Sequence, residues 1–419
     1  MRNIDLLVYG ATGFTGKHVV QFLVRVRKDK EYEALTWGVA GRSKEKLMNL
    51  KKEIQAMGME IHDLETVESN VDDENSLKAM TQKCKVLINC VGPYTVLGEP
   101  VVKACIETGT HYVDISAEAY NMLHIYKKYN EAAQRANVLI IPACGFCNIP
   151  MAAGVIYLRD HFQGELNSVE SYLELDIPKY AHYSGPNATL IHSGTWLSMT
   201  YVLKNMRKYL TLRDELNTEP VEREPLALKK SFLHRHEGQS WFPYPGPDVI
   251  LIEMSQRQLM KSHQKKITHF KAYATVPRFF HFILIPAIYI CYYLCYFSCF
   301  RRLMKNYPKL FSFGYASDAG PTSETREKTK YRFTLIGKEW KGDAVTKSLA
   351  IKISGKDPGY QTTAAALALS ALTILKDYSK MPKSGVVMPG AAFYDTSIVN
   401  ELQKHDFKFQ FVENEVQGN

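Results

Sequence analysis

The sequence predicts an α/β protein with a doubly wound parallel sheet, a second domain of mixed α/β structure and a long apolar segment. Apolar strand-like runs alternate with helical runs over 1–153, which is typical of a doubly wound sheet. A glycine-rich turn follows the first of these strands, and an uncharged run occupies 279–300. We therefore expect domains at 1–153 and at 154–359, the latter interrupted by 279–300, and a C-terminal region at 360–419.

The first strand, 4–9, runs directly into a glycine-rich turn. The turn reads Gly10-Ala11-Thr12-Gly13-Phe14-Thr15-Gly16, and a helical run begins at Lys17. Such a turn directs backbone N–H groups and the positive end of the helix dipole towards one point, where a pyrophosphate binds. The spacing GxxGxxG is less common than GxGxxG, but its place between strand and helix is the expected one. We predict a Rossmann-type dinucleotide site formed by all seven residues; the alternative is a tight corner that only packs the helix.

The second strand, 35–40, leads to Gly41-Arg42-Ser43. Folds that bind NAD usually carry an acidic residue near this point, where it binds the ribose hydroxyls. Arg42 stands there instead, and a guanidinium can bind a 2′-phosphate through two hydrogen bonds. We therefore predict NADP as the cofactor and consider NAD less favoured. The alternative is a solvated Arg42 beside a Ser43 that only caps the next helix.

Four further strand-like runs complete the predicted sheet, at 65–71, 84–91, 111–116 and 137–142. Ligands of such sheets lie beyond the carboxyl ends of the strands. Asp72 follows the third strand, on the side expected for adenine, and Gly92-Pro93-Tyr94 follows the fourth. We predict cofactor contacts for these four residues, and a helix that Pro100 opens.

The sequence gives no firm catalytic residue. A mechanism of the short-chain dehydrogenase type is disfavoured because no Tyr is followed four residues later by Lys. Tyr94 is a weak candidate for a proton donor beside the nicotinamide; the alternative is a ring that packs there without taking part in the chemistry. We predict no metal site, since Cys144 and Cys147 form a CxxC pair without a second pair of metal ligands.

The positive charge is concentrated in one region. The whole chain carries a net charge of +9, whereas 254–317 contains ten Lys and Arg and no acidic residue. This pattern argues against a general nucleic-acid-binding protein and favours one anionic surface as partner. The eight cysteines are scattered and no secretory signal is evident, so we expect a protein that faces the cytosol.

The uncharged run 279–300 lies inside this basic region. Its length would allow a bilayer crossing, but Pro286 and the basic flanks favour a segment that dips into one leaflet. We predict that 257–309 contacts a lipid droplet or the cytoplasmic face of a membrane. Cys291, Cys295 and Cys299 recur on one predicted helical face and can accept palmitate. The alternative is a buried helix in the core or at a homodimer interface.

The second domain is predicted from fewer signals. Strands are expected at 169–175, 331–336 and 350–354, the last two paired antiparallel, and a helix is expected at 195–207. The polar stretch 215–230 is expected to be an exposed excursion. An alanine-rich helix at 362–375 is expected to pack back on the nucleotide domain.

Several different short motifs follow one another in a fixed order along nearly the whole chain. They are Gly10 to Gly16, Ala40 to Ser43, Asn89 to Tyr94 with Gly98-Glu99-Pro100, Val113 to Ser116 with Glu118, His192 to Trp196, Phe313 to Tyr315, Gly320 to Thr322, Gly359-Tyr360 and Pro389 to Phe393. Together they resemble the saccharopine dehydrogenase-like oxidoreductases and, more distantly, the bacterial trans-acting enoyl reductases of glycolipid synthesis. The resemblance implies a Rossmann-type domain, a mixed α/β second domain, a nicotinamide cofactor and, from the animal proteins, association with lipid droplets or membranes.

One motif departs from that family. Where the family usually reads Gly-Phe-Asp-Ser-Ile-Pro with a further Asp two residues on, this chain has Cys147, Asn148 and Ala152. Two functions therefore stay open. The first is an NADP(H)-dependent oxidoreductase acting on a lipid-like or apolar substrate. The second is a cofactor-binding protein of lipid droplets or membranes with little or no catalysis.

Overall fold

The computed structural model describes residues 4–58, 64–146, 148–178, 189–217, 228, 230–244, 246–275 and 290–412. A parallel sheet of seven strands combines six strands from the first 141 residues with one from the C-terminal region. Its strands are Ile4–Tyr9 (β1), Trp37–Gly41 (β2), Glu65–Glu68 (β3), Cys84–Asn89 (β4), His111–Asp114 (β5), Leu139–Ile141 (β6) and Gly385–Val386 (β15). Their spatial order is β3-β2-β1-β4-β5-β6-β15. All six strand pairs are parallel.

Helices connect these strands because each apolar strand must be buried on both faces of a parallel sheet. They are Phe14–Val26 (α1), Lys44–Ala56 (α2), Glu74–Thr81 (α3), Tyr94–Thr108 (α4), Ala119–Arg135 (α5) and Ile149–His161 (α6). Leu6, Val8, Val86 and Ile88 pack in one core cluster, and Leu7 and Leu87 pack in a second. This alternation of side chains places a core on each face of the sheet.

A second sheet also has seven strands. They are Ser168–Asp176 (β7), His234–His236 (β9), Gln239–Pro243 (β10), His269–Thr275 (β11), Lys330–Lys341 (β13), Ala344–Lys356 (β14) and Lys408–Val412 (β16). Their spatial order is β16-β14-β13-β7-β11-β10-β9. β7 and β11 run parallel, and the other pairs are antiparallel. The predicted pairing of 331–336 with 350–354 is confirmed, with Phe333 opposite Ile353. The predicted parallel sheet and second, mixed domain are thus both present.

Further α-helices and one pair of short strands lie outside the two sheets. They are Ile191–His192 (β8), Ser193–Leu216 (α7), Asp248–His263 (α8), Ser298–Asn306 (α9), Pro308–Phe311 (α10), Ala316–Ser317 (β12), Ser323–Lys328 (α11), Thr363–Asp377 (α12), Pro389–Ala392 (α13) and Ile398–Lys404 (α14). β8 and β12 pair in parallel. α12 packs against α1, β4 and β5, and its alanines are buried in the core with Val86 and Ile88.

Two sequence predictions of helix limits are wrong. α4 begins at Tyr94, not at Pro100, which lies inside the helix. The helix can start earlier because the Glu118 side chain accepts hydrogen bonds from the first N–H groups of α4. The helix predicted at 195–207 extends from Ser193 to Leu216.

The uncharged segment is described only from residue 290 onwards, so 276–289 lies outside the described residues. A helical turn ends at Leu294, and α9 begins at Ser298. Cys299 therefore lies on a different helix from Cys291, and Cys295 is fully buried. The prediction of three cysteines on one helical face is wrong. Within the described ranges, none of the helices has the length and apolar character needed to cross a membrane.

Candidate cofactor and active site

The glycine turn forms a narrow cradle at the carboxyl end of β1. Gly10 has φ +80°, and its N–H donates to Ala40 O at 2.9 Å. A methyl group on Gly16 would lie 2.1 Å from Gly10 O and 2.9 Å from Ala11 Cα. The turn therefore requires glycine at both positions. The first helical hydrogen bond of α1 runs from Lys17 N to Gly13 O, so the N–H groups of the preceding helical residues are directed out of the helix start.

Arg42 and Asp72 lie at the neighbouring strand ends. Arg42 is exposed directly after β2, and it forms an ion pair with none of the described carboxylates. Burial raises the pKa of Tyr9 to about 12, with smaller effects from a hydrogen bond to Ser69 and from the charges of Asp72 and Arg42. These charges therefore flank the end of β1, where the adenosine end of a dinucleotide lies in this fold. Ser43 is the N-cap of α2 and accepts a hydrogen bond from Lys46 N at 3.3 Å.

The loop after β4 contains Gly92, Pro93 and Tyr94. Gly92 is exposed. The loop begins beside the glycine turn, because a methyl group on Gly10 would lie 3.2 Å from the Cys90 carbonyl carbon. Tyr94 is 5% exposed, and its hydroxyl donates to Asn89 O at 3.0 Å. Burial, assisted by the charge of Asp114, raises the pKa of Tyr94 well above 10. This arrangement favours the packing alternative over proton donation by Tyr94.

Glu118 is a buried carboxylate at the start of α4. Its two oxygens accept hydrogen bonds from Tyr94 N at 2.9 Å and from Thr95 N at 2.8 Å. Ser198 on α7 donates a third hydrogen bond, at 2.7 Å. Glu118 is 1% exposed, and little solvent reaches its carboxylate. The three donors and the positive end of the α4 dipole take the place of that solvent.

A second buried carboxylate, Asp114, joins the ends of three strands. It accepts hydrogen bonds from Ser116 N and Ala143 N, both at 2.8 Å, and from the Tyr112 hydroxyl at 2.7 Å. Tyr112 accepts a hydrogen bond from Asn89 Nδ2 at 3.0 Å. Burial raises the pKa of Asp114 to about 6, against the opposing effect of its hydrogen bonds. This network holds the carboxyl ends of β4, β5 and β6 in fixed positions.

Segments from the second half of the chain cover the start of α1. The Phe14 ring stacks on His192 with centroids 5.0 Å apart and contacts Tyr360 edge-on at 4.7 Å. The Tyr360 hydroxyl accepts a hydrogen bond from His192 N at 2.7 Å. A methyl group on Gly320 would lie 2.7 Å from the Phe14 ring. Residues from three separate motifs therefore converge on one side chain of the glycine turn.

Arg326 approaches His18 on the next turn of α1. Their nearest nitrogens, Arg326 Nη1 and His18 Nε2, are 2.6 Å apart. Because a guanidinium can only donate, His18 accepts and is neutral. Burial, with the charge of Arg326, lowers the pKa of His18 to about 4. Asp357 lies 3.8 Å from Arg326 and accepts a hydrogen bond from Tyr360 N, which ties this cluster to the Phe14 contacts.

Two buried polar side chains lie at the starts of α6 and α8. Asn148 and Asp248 are both 0% exposed. In the part of the chain that the structure describes, no other residue hydrogen-bonds to either side chain. Burial raises the pKa of Asp248 well above 3.8. Ala152, the other described position of the family departure, is 3% exposed and lies near Gly390.

The residues that the sequence placed at strand ends lie there, and their cofactor contacts stay a prediction; the sequence did not single out Asp248. An Asp directly after Gly-Pro resembles an ordinary helix start, so its sequence context gave no signal of a buried, unpaired carboxyl. The roles of His18 and Arg326 were also missed. No group of three potential metal ligands occurs among the described residues, and Cys147 lies outside them.

Comparison with known proteins decides the family. Residues 6–141 match the family model described as Saccharopine dehydrogenase NADP binding domain. Over 428 residues the chain is 34% identical to the mouse protein named Saccharopine dehydrogenase-like oxidoreductase, with 98% of each chain covered. The chain belongs to the saccharopine dehydrogenase-like oxidoreductases. The predicted family is therefore confirmed, and so is NADP as the cofactor of its first domain.

Two further similarities extend over the whole chain. A Caenorhabditis elegans protein named Lipid droplet localized protein is 30% identical over 434 residues, with 98% of each chain covered. The solved apo structure of saccharopine dehydrogenase (L-Glu forming) from Saccharomyces cerevisiae superposes with a TM-score of 0.52 and 14% identity, covering 98% of this chain and 100% of that one. At this identity the second similarity shows the fold alone.

Proposed function

We propose that this member of the family is an NADP(H)-dependent oxidoreductase that acts on a lipid-like or apolar substrate at the surface of lipid droplets or membranes. The observation that carries the cofactor half of the proposal is the cradle at Gly16, where the space for a side chain is filled by the backbone of Gly10 and Ala11. The family supports the oxidoreductase class.

The proposed cofactor contacts follow the strand ends. The turn Gly10 to Gly16 would hold the pyrophosphate through its backbone N–H groups. Arg42 would bind the 2′-phosphate, with Ser43 beside it, and Asp72 would lie on the adenine side. Gly92 and Pro93 would lie against the nicotinamide end. When bound, NADPH supplies a hydride; the protein supplies orientation and a water-poor site, and we assign no residue as proton donor.

The surface half of the proposal rests on the segment 290–313. Its large side chains are unusually exposed, with Phe297 at 61%, Leu310 at 70% and Phe313 at 79%. Exposed cations are interleaved with them, namely Arg302, Lys305 and Lys309. Apolar side chains that enter a lipid surface beside cations that meet anionic headgroups are the pattern of interfacial helices.

Helix α7 fixes this segment to the site. The Trp196 indole donates to Met304 O at 3.1 Å, and the Arg207 guanidinium lies 5.6 Å from the centre of the Tyr296 ring. The name of the C. elegans relative supports a lipid droplet as the surface. We propose the cytoplasmic side, and acylation at the exposed Cys299 remains part of this proposal.

A second candidate function has its own support. The family's acids are replaced at Cys147 and Ala152, so the chain can bind NADP(H) with little or no turnover. If the family's Asp stood at 152 in place of alanine, its carboxylate would be buried in tightly packed surroundings near Gly390.

A reduction assay distinguishes the two functions. Purified full-length protein on phospholipid vesicles is mixed with NADPH and a panel of lipids that carry carbonyl or enoyl groups, and NADPH absorbance is followed. Consumption that depends on one lipid class, and that is lost in Gly16→Ala, supports the oxidoreductase. Tight NADPH binding without consumption by any lipid supports the second function.

A further inference from the structure

We infer that a cavity between α5, α7 and α8 binds the apolar portion of the substrate and opens towards the lipid-facing segment 290–313. The cavity has a volume of about 280 Å³. This inference rests on the proposed function, because it takes a lipid-like substrate and the lipid surface as given. It adds a binding site to that function, and it names the part of the substrate that the site holds.

The inner end of the cavity lies beside the loop after β4, where the nicotinamide is proposed to bind. Thr95 and Glu118 line it there, directly beyond the carboxyl ends of β4 and β5. In doubly wound sheets the ligand lies in this crevice. Because three donors already satisfy Glu118, this end of the cavity does not require a cationic ligand.

The walls are suited to an apolar group. Val202 and Met206 of α7 and Val249 and Ile250 of α8 line the cavity, together with the rings of four tyrosines. Small-molecule sites usually have volumes of roughly 300–1,000 Å³, so this cavity lies just below that range. It can hold one ring system or a short chain, whereas the polar remainder of a lipid would stay outside it.

The outer face of α7 connects the cavity with the lipid-facing segment. Successive helical residues are about 100° apart around the axis. On that spacing Val202, Met206 and Tyr209 share the cavity face, and Trp196 and Arg207 share the face that contacts 290–313. The side chains of Met199 and Leu210 fall between the two faces.

Met199 and Leu210 are 49% and 40% exposed. They therefore form an apolar strip at the surface, between the segment that would enter the lipid and the side chains that line the cavity. These two side chains offer an apolar group a path along α7 between the lipid-facing segment and the cavity. Arg213 and Glu253 lie at another part of the cavity lining and can meet polar groups of the same ligand.

Photo-crosslinking tests this inference directly. Full-length protein is bound to mixed phosphatidylcholine and phosphatidylserine vesicles that contain a fatty acid with a photoactivatable diazirine in its chain. Cross-linked peptides are then identified by mass spectrometry. We expect cross-links within 201–213 or 246–253 in addition to those within 290–313.

Val202→Trp would fill the cavity. It should lower the cavity cross-links by at least about fivefold, since a buried indole takes the space of the ligand, and leave those within 290–313 unchanged. Val345→Trp is the matched control, because Val345 is 45% exposed on β14, and it should change neither set. NADPH affinity is measured for each variant to show that the fold is retained; Met206→Trp replaces Val202→Trp if that variant does not bind NADPH.

The outcomes separate the inference from the proposed function. Cross-links confined to 290–313 in the unaltered protein would overturn the cavity as the binding site and leave the lipid surface in place. Cavity cross-links that persist in the NADPH-binding variant with Trp in the cavity, Val202→Trp or its replacement Met206→Trp, would also overturn it. The absence of cross-links from 290–313 and from the cavity would overturn the lipid-surface proposal itself.

Discussion

Replacing Gly16 with alanine should remove NADPH binding while leaving the fold intact. The added methyl group would lie 2.1 Å from Gly10 O, whereas real Cβ contacts are not found below 3.0 Å. The turn must therefore open by nearly one ångström. That movement displaces the N–H groups proposed to hold the pyrophosphate, and each hydrogen bond to a charged group contributes about 1.5–3 kcal/mol. Loss of one or two of them corresponds to a fall in affinity of about 10- to 20,000-fold.

Titration calorimetry of the full-length protein with NADPH measures this loss. Gly359→Ala is the matched control, because a methyl group there would meet no heavy atom within 4 Å, and we expect its affinity to be unchanged. Thermal melting of both variants shows whether the fold is retained. A folded Gly16→Ala variant that binds NADPH as tightly as the unaltered protein would refute the assignment of the turn as the pyrophosphate site.

Three further predictions concern protonation and the lipid surface. The pKa of His18 is about 4 in the fold and about 6.5 in an unfolded chain, so stability should fall as pH decreases from 6.5 to 4. The loss should be about 1–2 kcal/mol, less than the full shift because solvent reaches the ring, and melting of His18→Gln should show a smaller loss. Asp248 should have the opposite effect on stability, because its pKa is raised in the fold and stability therefore falls as pH rises above the unfolded pKa of about 3.9. Asp248→Asn should gain stability relative to the unaltered protein between about pH 4 and 7. An unchanged pH profile of stability in this variant would contradict the buried, unpaired carboxyl. Brominated phospholipids in vesicles should quench the emission of Trp196, because its indole contacts the lipid-facing segment 290–313. Trp196→Phe should remove most of this quenching and Trp340→Phe should not, whereas equal effects of the two variants would contradict the proposed contact of 290–313 with lipid.

The local features of the nucleotide domain could be predicted from the sequence because their signals are contiguous. The apolar strand 4–9, the glycine turn and the helix after it follow one another directly. The start of α4 could not be predicted in the same way. Its cap, Glu118, lies 24 residues beyond Tyr94, and the local sequence favours Pro100 as the first helical residue.

The cover over the glycine turn depends on contacts between distant parts of the chain. His192 and Tyr360 are 168 residues apart, and Arg326 lies 308 residues from His18. Helical or strand periodicity describes neighbours within one element, so no such pattern relates these residues. Burial without a partner, as at Asp248, likewise depends on what packs around a side chain and has no sequence signature.

The central claim is that the turn and Arg42 together form an NADP-selective site. The most direct test is calorimetry of the full-length protein with NADPH and with NADH, repeated for Arg42→Asp. Arg135→Asp is the matched control, because the Arg135 side chain is 73% exposed on α5. We predict that the unaltered protein and the control bind NADPH at least about tenfold more tightly than NADH, and that Arg42→Asp loses most of this preference, about 1–3 kcal/mol for a charge-assisted clamp. Equal affinities of the unaltered protein for the two cofactors would contradict the claim.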